Sequence, residues 1–206
     1  MMDHLLLVEG KDEKVLFDHL LSSHQMQGLV TVIACGGSRK FDEGLLAIKR
    51  QRSFRFTRTI TAVRDADDSS AAAFDSVRNV FQAAQLPVPD STNHWSAAAP
   101  YVQICIVPEH SPQGCIENLF IEAHRSNEEP IHRCLEALRQ CWAPNQLNPA
   151  RWAKIYTAII LRTIPGDFAP DLGLGIQKAE FNDLCNQEPL LQLTRILDRI
   201  EEKSNA

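Results

Sequence analysis

Carboxylates carry the chemistry this sequence is best equipped to perform. Glu9 ends the apolar run Leu5-Leu6-Leu7-Val8, and Glu13 follows four residues later, where the first turn of a helix can face the same crevice. Asp65 and Asp67 end a second run, Thr59-Ile60-Thr61-Ala62-Val63-Arg64. Residues two apart in an extended chain point to the same side, so Asp65 and Asp67 are expected to act together. Two ionised carboxylates ~4 Å apart repel by about 4 kcal/mol at an effective dielectric of 20. Three or more in one place therefore need a cation or a shared proton. An all-oxygen donor set, with no Cys or His in either motif, suits Mg²⁺ or Mn²⁺ rather than zinc. The plain alternative is a pair of strand ends with solvated charges.

The elements that must position these acids are legible. An apolar run, then Glu9-Gly10, then a charged helix start reads as a buried strand, a turn and a helix. The run is apolar on both faces, as in an interior strand of a parallel sheet covered by helices. Its carboxyl end is where open α/β sheets place ligands, and Gly10 is expected to allow a tight turn there. A helix follows over 11–23, with Val15, Leu16, Leu20 and Leu21 inward. A strand over 29–34 leads into Cys35-Gly36-Gly37-Ser38, read as a tight turn rather than a phosphate loop, and a helix over 41–49 follows. After the acidic strand end come a helix over 69–85, capped by Ser69 or Ser70, and a strand over 101–107. That strand opens into Pro108–Gly114 on the same side as the acids. The rest reads as helices over 116–123, 131–142, 149–162, 176–186 and 190–203. Pro149 suits a first turn, and Ile155, Ala158, Ile159 and Leu161 mark the apolar side of its helix. The expected fold is therefore α/β, a mainly parallel four-stranded sheet flanked by helices over residues 1–110. A helical region over 111–206 packs on it.

Composition narrows the function. The net charge of −5 argues against tight binding of nucleic acid by bulk electrostatics, though it leaves room for a local groove. The most basic stretch, Lys49 to Arg58, alternates arginine with Phe54 and Phe56. It reads either as a phosphate-contacting patch with stacking rings or, preferably, as a solvated helix end with its rings in the core, since cations favour helix carboxyl ends. The six cysteines form no Cys-x-x-Cys pair, and Cys134 and Cys141 have the spacing of one helix face, expected in the core. With no apolar run of membrane length and no secretory pattern, the expectation is a cytoplasmic protein with reduced thiols and no membrane partner.

Leu-Val-Glu9-Gly10-Lys-Asp-Glu13, followed by a strand ending in Asp65-Ala66-Asp67, resembles the TOPRIM domain over Met1 to roughly Val107. Topoisomerases, bacterial-type primases, small ribonucleases and the overcoming-lysogenization-defect nucleases share that domain. The resemblance implies a Rossmann-like core and a divalent-metal site. As a whole the chain is similar to the small stand-alone TOPRIM proteins of uncharacterised function. In the overcoming-lysogenization-defect nucleases a Ser-Leu-Glu motif after the fourth strand supplies a second metal, and a later helix supplies a lysine. Here Glu117 matches the glutamate, Cys115 stands in place of the serine, and Lys154 is the candidate lysine. The departure at Cys115 puts an oxygen ligand there in doubt. For Glu117 the alternative is an ordinary helix-start glutamate, and for Lys154 a solvated helical lysine.

The resemblance implies metal-dependent phosphodiester hydrolysis of DNA or RNA. Glu9, Glu13 and Asp65 would hold one ion, Asp67 and Glu117 a second, with Asp65 bridging. Lys154 would neutralise charge on the phosphate, and Glu9 could instead act as acid or base. Other TOPRIM activities fit less well. A topoisomerase needs a nucleophilic tyrosine, and Tyr101 and Tyr156 lie in a strand and an apolar helix. Neither a primase zinc module nor a Gly-x-x-x-x-Gly-Lys-Ser/Thr loop is found in the chain, so any ATPase would be a separate partner. A second copy of the chain is another candidate partner. The competing functions are a partner-activated or non-catalytic module that binds metal or nucleic acid, and a phosphohydrolase acting on small nucleotides.

Overall fold

Four strands and seven helices of the computed structural model carry the argument, drawn from the residues it describes, 3–37, 40–125, 130–142, 148–163, 175 and 186–205. The helix expected over 176–186 falls almost wholly outside them, as do Ser38 and Cys185. The strands are β1 (His4–Val8), β2 (Val30–Ala34), β3 (Thr59–Asp65) and β4 (Tyr101–Val107). All neighbours are parallel, in the order β2-β1-β3-β4. The helices between them are α1 (Lys11–Ser23), α2 (Phe41–Lys49) and α3 (Ser70–Ala83), with a 3-10 turn at Arg52–Phe56. After β4 come α4 (Ile116–Arg125), α5 (Pro130–Trp142), α6 (Pro149–Thr163) and α7 (Glu188–Asn205). The α/β sheet flanked by helices is thus observed. No helix among the described residues is long and apolar enough to cross a membrane.

Every residue of β1 is buried, because alternate side chains feed two separate cores. Leu5, Leu7, Ile60, Ala62, Ile104 and Ile106 face α2 and α3, where Phe41, Leu45, Val77 and Phe81 meet them. Leu6, Val8, Val63, Cys105 and Val107 face the other way. Leu16, Phe17 and Leu20 of α1 cover part of that face, and Leu119 and Phe120 of α4 join them. Tyr156 and Ile160 of α6, with Leu193, Leu197 and Ile200 of α7, belong to the same cluster. Each fully buried Leu, Ile or Phe of this kind contributes about 1.5–3 kcal/mol, so the helices after residue 111 share a core with the sheet. The inner side of α1 carries Phe17 where Val15 was expected. On α6 the buried residues are Ala150, Trp152, Ala153, Tyr156, Thr157, Ile160 and Leu161, while Ile155, Ala158 and Ile159 are only partly buried. Arg151, Lys154 and Arg162 mark the exposed side of this helix, and the apolar stripe alone misjudged its orientation by about one residue. Cys134 and Cys141 are exposed on α5, against expectation, because that helix turns Leu135 and His132 inward.

β1 connects to β2 through α1 on one face, and β2 to β3 and β3 to β4 connect through α2 and α3 on the other. The strand order reverses between β1 and β3, which creates the crevice at their carboxyl ends that open α/β sheets use for ligands. α7 spans the sheet from end to end. Near its start Gln192 accepts the Glu109 N–H at 2.7 Å through Oε1, just past β4. In its last turn the Ser204 hydroxyl lies 2.9 Å from His4 Nε2 at the start of β1.

Candidate metal centre

Asp65 is the last residue of β3 and is 3 % exposed. Its Oδ1 accepts the backbone N–H of Ile116 at 3.0 Å, so it caps the start of α4. Its Oδ2 lies 3.6 Å from the Lys154 ammonium, which α6 brings in from a side chain still 52 % exposed. Glu117 sits in the first turn of α4, where a carboxylate also favours the helix dipole. Ligand atoms of Asp65, Cys115 and Glu117 all lie within 4.8 Å of one another.

The approach of Glu117 to Asp65 depends on a backbone clasp. Asp67 donates its N–H to Gly114 O at 2.7 Å and accepts the Gly114 N–H at 2.9 Å. Gly114 has φ +126°, and a β-carbon there would lie 2.9 Å from Asn118 Oδ1 and 3.2 Å from Pro108 Cδ, so glycine is required. Asp67 itself has φ +49°. The chain is therefore not extended past Asp65, and Asp65 and Asp67 do not project side by side as a strand would dictate. Asp tolerates this left-handed turn better than most residues.

Glu9 follows β1 directly. The register that pairs Leu7 with Ala62 brings Glu9 level with Arg64, and Glu9 Oε1 lies 3.1 Å from Arg64 Nε. The two atoms form an ion pair, yet they are buried and poorly aligned, and neither makes a hydrogen bond. Arg64 was not anticipated as part of the site. The signal was an arginine inside a buried run, since a buried charge needs a partner. The Glu9 carbonyl accepts N–H groups from Gly36 and Gly37, at 2.9 and 2.7 Å, so these donors hold Glu9 in place and are not free for phosphate. Gly10 has extended backbone, not the tight turn expected. A β-carbon on it would meet Glu13 Oε2 at 2.8 Å, and that oxygen accepts the Gly10 N–H at 3.0 Å. The absence of a side chain lets Glu13 close onto the start of α1.

Burial dominates the electrostatics. It raises the Glu9 pKa to about 7; Arg64 opposes the rise, and Asp67 and Glu13 add to it. Asp65 is raised well above the usual carboxylate range, first by burial and then by Glu117, against the pull of Lys154. Burial also opposes the charge on Lys154, but Glu117 and Asp65 outweigh it and push its pKa up. Five carboxyl groups here face two cations, Arg64 and Lys154, so one lysine cannot keep Asp65 acidic. Cys115 is fully buried, and its thiol contacts Asn118 Oδ1 at 3.4 Å and the Ala150 carbonyl at 3.5 Å. Burial and then Glu117 and Asp65 push its pKa far up, so without a cation beside it the group is a neutral thiol.

The donor set fits a hard divalent cation. Asp65 and Glu117 converge, and Glu117 Oε2 is buried with no hydrogen-bond partner. The surplus of negative charge is what such an ion would neutralise. No other trio of His, Cys, Asp or Glu among the described residues is so closely spaced. Glu9 and Glu13 act on Asp65 through charge, and Asp67 acts in the same way on Glu9. Glu117 thus lies close to Asp65, the residue expected to bridge the two ions. Pro149 opens α6 as expected, and Asn148 before it caps the helix through Arg151 N–H at 2.8 Å while donating to Asp68 Oδ1 at 3.0 Å. That contact ties the lysine-bearing helix to the turn after β3. The basic stretch lies elsewhere, in the connection between α2 and the start of β3, at the amino end of the sheet.

No curated protein and no solved structure matches this chain. Residues 3–171 match the family described as protein of unknown function (DUF3226), and the chain belongs to that family.

Proposed function

We propose that this protein is a divalent-metal-dependent phosphodiesterase acting on nucleic acid, with a TOPRIM-type acidic centre. One observation carries the reading. A carboxylate that is 3 % exposed stands at the reversal point of a parallel sheet, close to Glu117 with its orphaned buried oxygen and 3.6 Å from a lysine. Asp65 and Glu117 would hold Mg²⁺ or Mn²⁺, with Glu9, Glu13 and Asp67 completing the acidic surround and accommodating a second ion. When bound, the metal supplies Lewis acidity toward a phosphate oxygen and a more acidic water. Lys154, half in solvent, can follow a phosphate and balance its charge. Arg64 keeps Glu9 oriented across the strand pair. The buried walls from α4 and α6 exclude bulk water on one side, which strengthens each of these charges. Five free cysteines among the described residues support a cytoplasmic location.

A second reading keeps the same centre but gives it small nucleotides as substrates. It is favoured by the position of the basic stretch, about 20 Å from Asp65 along the seven-residue β3, too far to guide a strand directly into the site.

The test is cleavage of supercoiled plasmid, single-stranded DNA, structured RNA and small nucleotides with Mg²⁺ or Mn²⁺, beside Asp65→Ala. Metal-dependent turnover lost in the variant is expected. Equal turnover by both proteins would remove the acidic centre from the mechanism.

A further inference from the structure

Two cations of different kinds guard the acids at the carboxyl end of the sheet. Lys154 stands 3.6 Å from Asp65 Oδ2 on a side chain that is 52 % exposed, so it can withdraw into solvent. Arg64 stands 3.1 Å from Glu9 Oε1, and both of these side chains are only 14 % exposed. The Arg64 backbone is fixed in β3, opposite Ile106 of β4 and one residue before Asp65. A guanidinium also keeps its charge at any working pH. Glu9 therefore faces a permanent positive charge that is held in place.

The Glu9–Arg64 pair is not built as a bridge that holds the fold. Glu9 Oε1 and Arg64 Nε are buried, and neither makes a hydrogen bond. A buried ion pair offsets its desolvation only when its geometry is good and its other polar positions are filled. Asp67 and Glu13 add negative charge around Glu9. Without Arg64, these three acids would carry the surplus that draws a divalent cation. With Arg64 present, a cation seated on Glu9 would stand beside a guanidinium in a poorly solvated place, where like charges repel strongly. Asp65 and Glu117 meet no such obstacle. Their ligand atoms lie within 4.8 Å of each other, and the cation beside them is the one that can leave.

We propose that Arg64 takes the place of a second cation: the centre rests with one divalent ion, at Asp65 and Glu117, and admits another at Glu9 only when Arg64 is displaced. The inference rests on the metal-dependent reading above and deepens it, because it makes the two-ion state conditional. Whatever draws Arg64 off Glu9 controls entry of the second ion.

Binding of Mn²⁺ is measured by the loss of the free-ion paramagnetic resonance signal on titration with protein. The wild type is expected to bind one ion, with any second at least about tenfold weaker. Arg64→Met and Arg64→Gln should each tighten the second ion by about tenfold or more. The glutamine can donate to Glu9, so it keeps the test open where the methionine variant is too unstable. Adding Glu9→Gln to either variant should abolish the gained ion. Lys154→Met removes an equal charge from the Asp65 side; it should tighten the first ion and leave the second weak. Two ions of equal affinity in the wild type, or an unchanged second ion in both neutral Arg64 variants, overturns the inference. A second ion gained equally in Lys154→Met, or one that survives Glu9→Gln, overturns it too, since Arg64 would then act only as bulk charge or at another place. Failure of every protein to bind Mn²⁺ removes the metal centre and this inference together. Hydrolysis of a single-stranded oligonucleotide with Mn²⁺ is read in parallel. The expected stoichiometries without hydrolysis sink the phosphodiesterase reading alone, and hydrolysis with unaltered stoichiometries sinks the role of Arg64 alone.

Discussion

The two ends of the sheet are built on opposite terms. At the amino end most polar groups are paired, the buried Thr57 hydroxyl excepted. His4 Nδ1 lies 2.8 Å from the Thr59 hydroxyl and its Nε2 2.9 Å from Ser204. Lys49 donates to the Ala84 carbonyl, and Lys203 sits over the Tyr101 ring at 3.8 Å. The remaining cations of the basic stretch face water, as does Phe56, with Arg55 stacked 4.6 Å above its ring. At the carboxyl end acids are buried in surplus, and Glu9 Oε1, Arg64 Nε and Glu117 Oε2 make no hydrogen bond. Unsatisfied groups gathered with surplus charge at a strand end mark a candidate site. Under the proposed function, the contrast separates an end that holds the fold from an end that would take a ligand.

The sharpest break comes from Asp65→Asn. The amide can still accept the Ile116 N–H but removes a buried charge. Metal-dependent hydrolysis should fall at least about 100-fold, the scale of losing one electrostatic group in a site. The metal-free protein should melt higher than wild type, and the rise in Tm on adding Mg²⁺ or Mn²⁺ should vanish. Thermal melts with chelator and with metal read both effects; a lower metal-free Tm would mean that Asp65 is a structural cap and nothing more.

Arg64→Met sharpens the same end. It leaves Glu9 buried without a counter-charge, at a cost of about 2 kcal/mol, or roughly 4–8 °C in Tm for a chain of this size. Adding Glu9→Gln should recover most of the loss. A double variant no more stable than the single would show that the pair is not coupled, and urea melts of the three variants decide it.

The amino end should respond to acid in the opposite sense. Burial, aided by Arg58, lowers the His4 pKa from its usual 6.5, with Asp3 opposing. Below pH 6.5 the unfolded chain therefore takes up a proton that the folded chain refuses. Stability falls as pH drops through that window, by up to about 1.4 kcal/mol per pH unit. Glu9, raised by burial to about 7, is relieved over the same range, and Asp65 is shifted in the same direction. The two contributions separate by comparing wild type with His4→Gln between pH 7.5 and 5.5. The wild type should lose more stability than the variant over that range; equal losses would contradict the buried neutral histidine.

How far the sequence announced this arrangement depends on whether a feature is local. The spans of α1, α2 and β4 follow from residue runs and agree with the structure. Glu9 and Asp65 were legible because a carboxylate closing a buried run stands at a strand's carboxyl end in any parallel sheet. The Glu9–Arg64 pair needed the register of β1 against β3, and the Asp65–Glu117 approach needed the Asp67–Gly114 clasp between residues far apart in the chain. The inward face of α6 was misread because Tyr156 satisfies its hydroxyl with His132 Nδ1, 2.9 Å away on another helix, and so can be buried.

The smallest effect is expected where the sequence is most basic. Arg52→Ala with Arg55→Ala removes exposed side chains at the amino end, about 20 Å from the acids. Surface changes of this kind stay within about 0.5 kcal/mol, and Phe54, packed in the core, keeps the turn in place. The metal-dependent rise in Tm should be unchanged, and KM for a short oligonucleotide should shift less than about twofold. A longer strand supplies the stringent form of the test, because it alone can reach both ends at once. If the double variant weakens long-strand binding tenfold and short-strand binding not at all, the basic turn is a second contact for the polymer, and the division between a holding end and a ligand end no longer stands. If both substrates are unaffected, everything that recognises substrate lies at the carboxyl end, and the small-nucleotide reading gains over the nuclease.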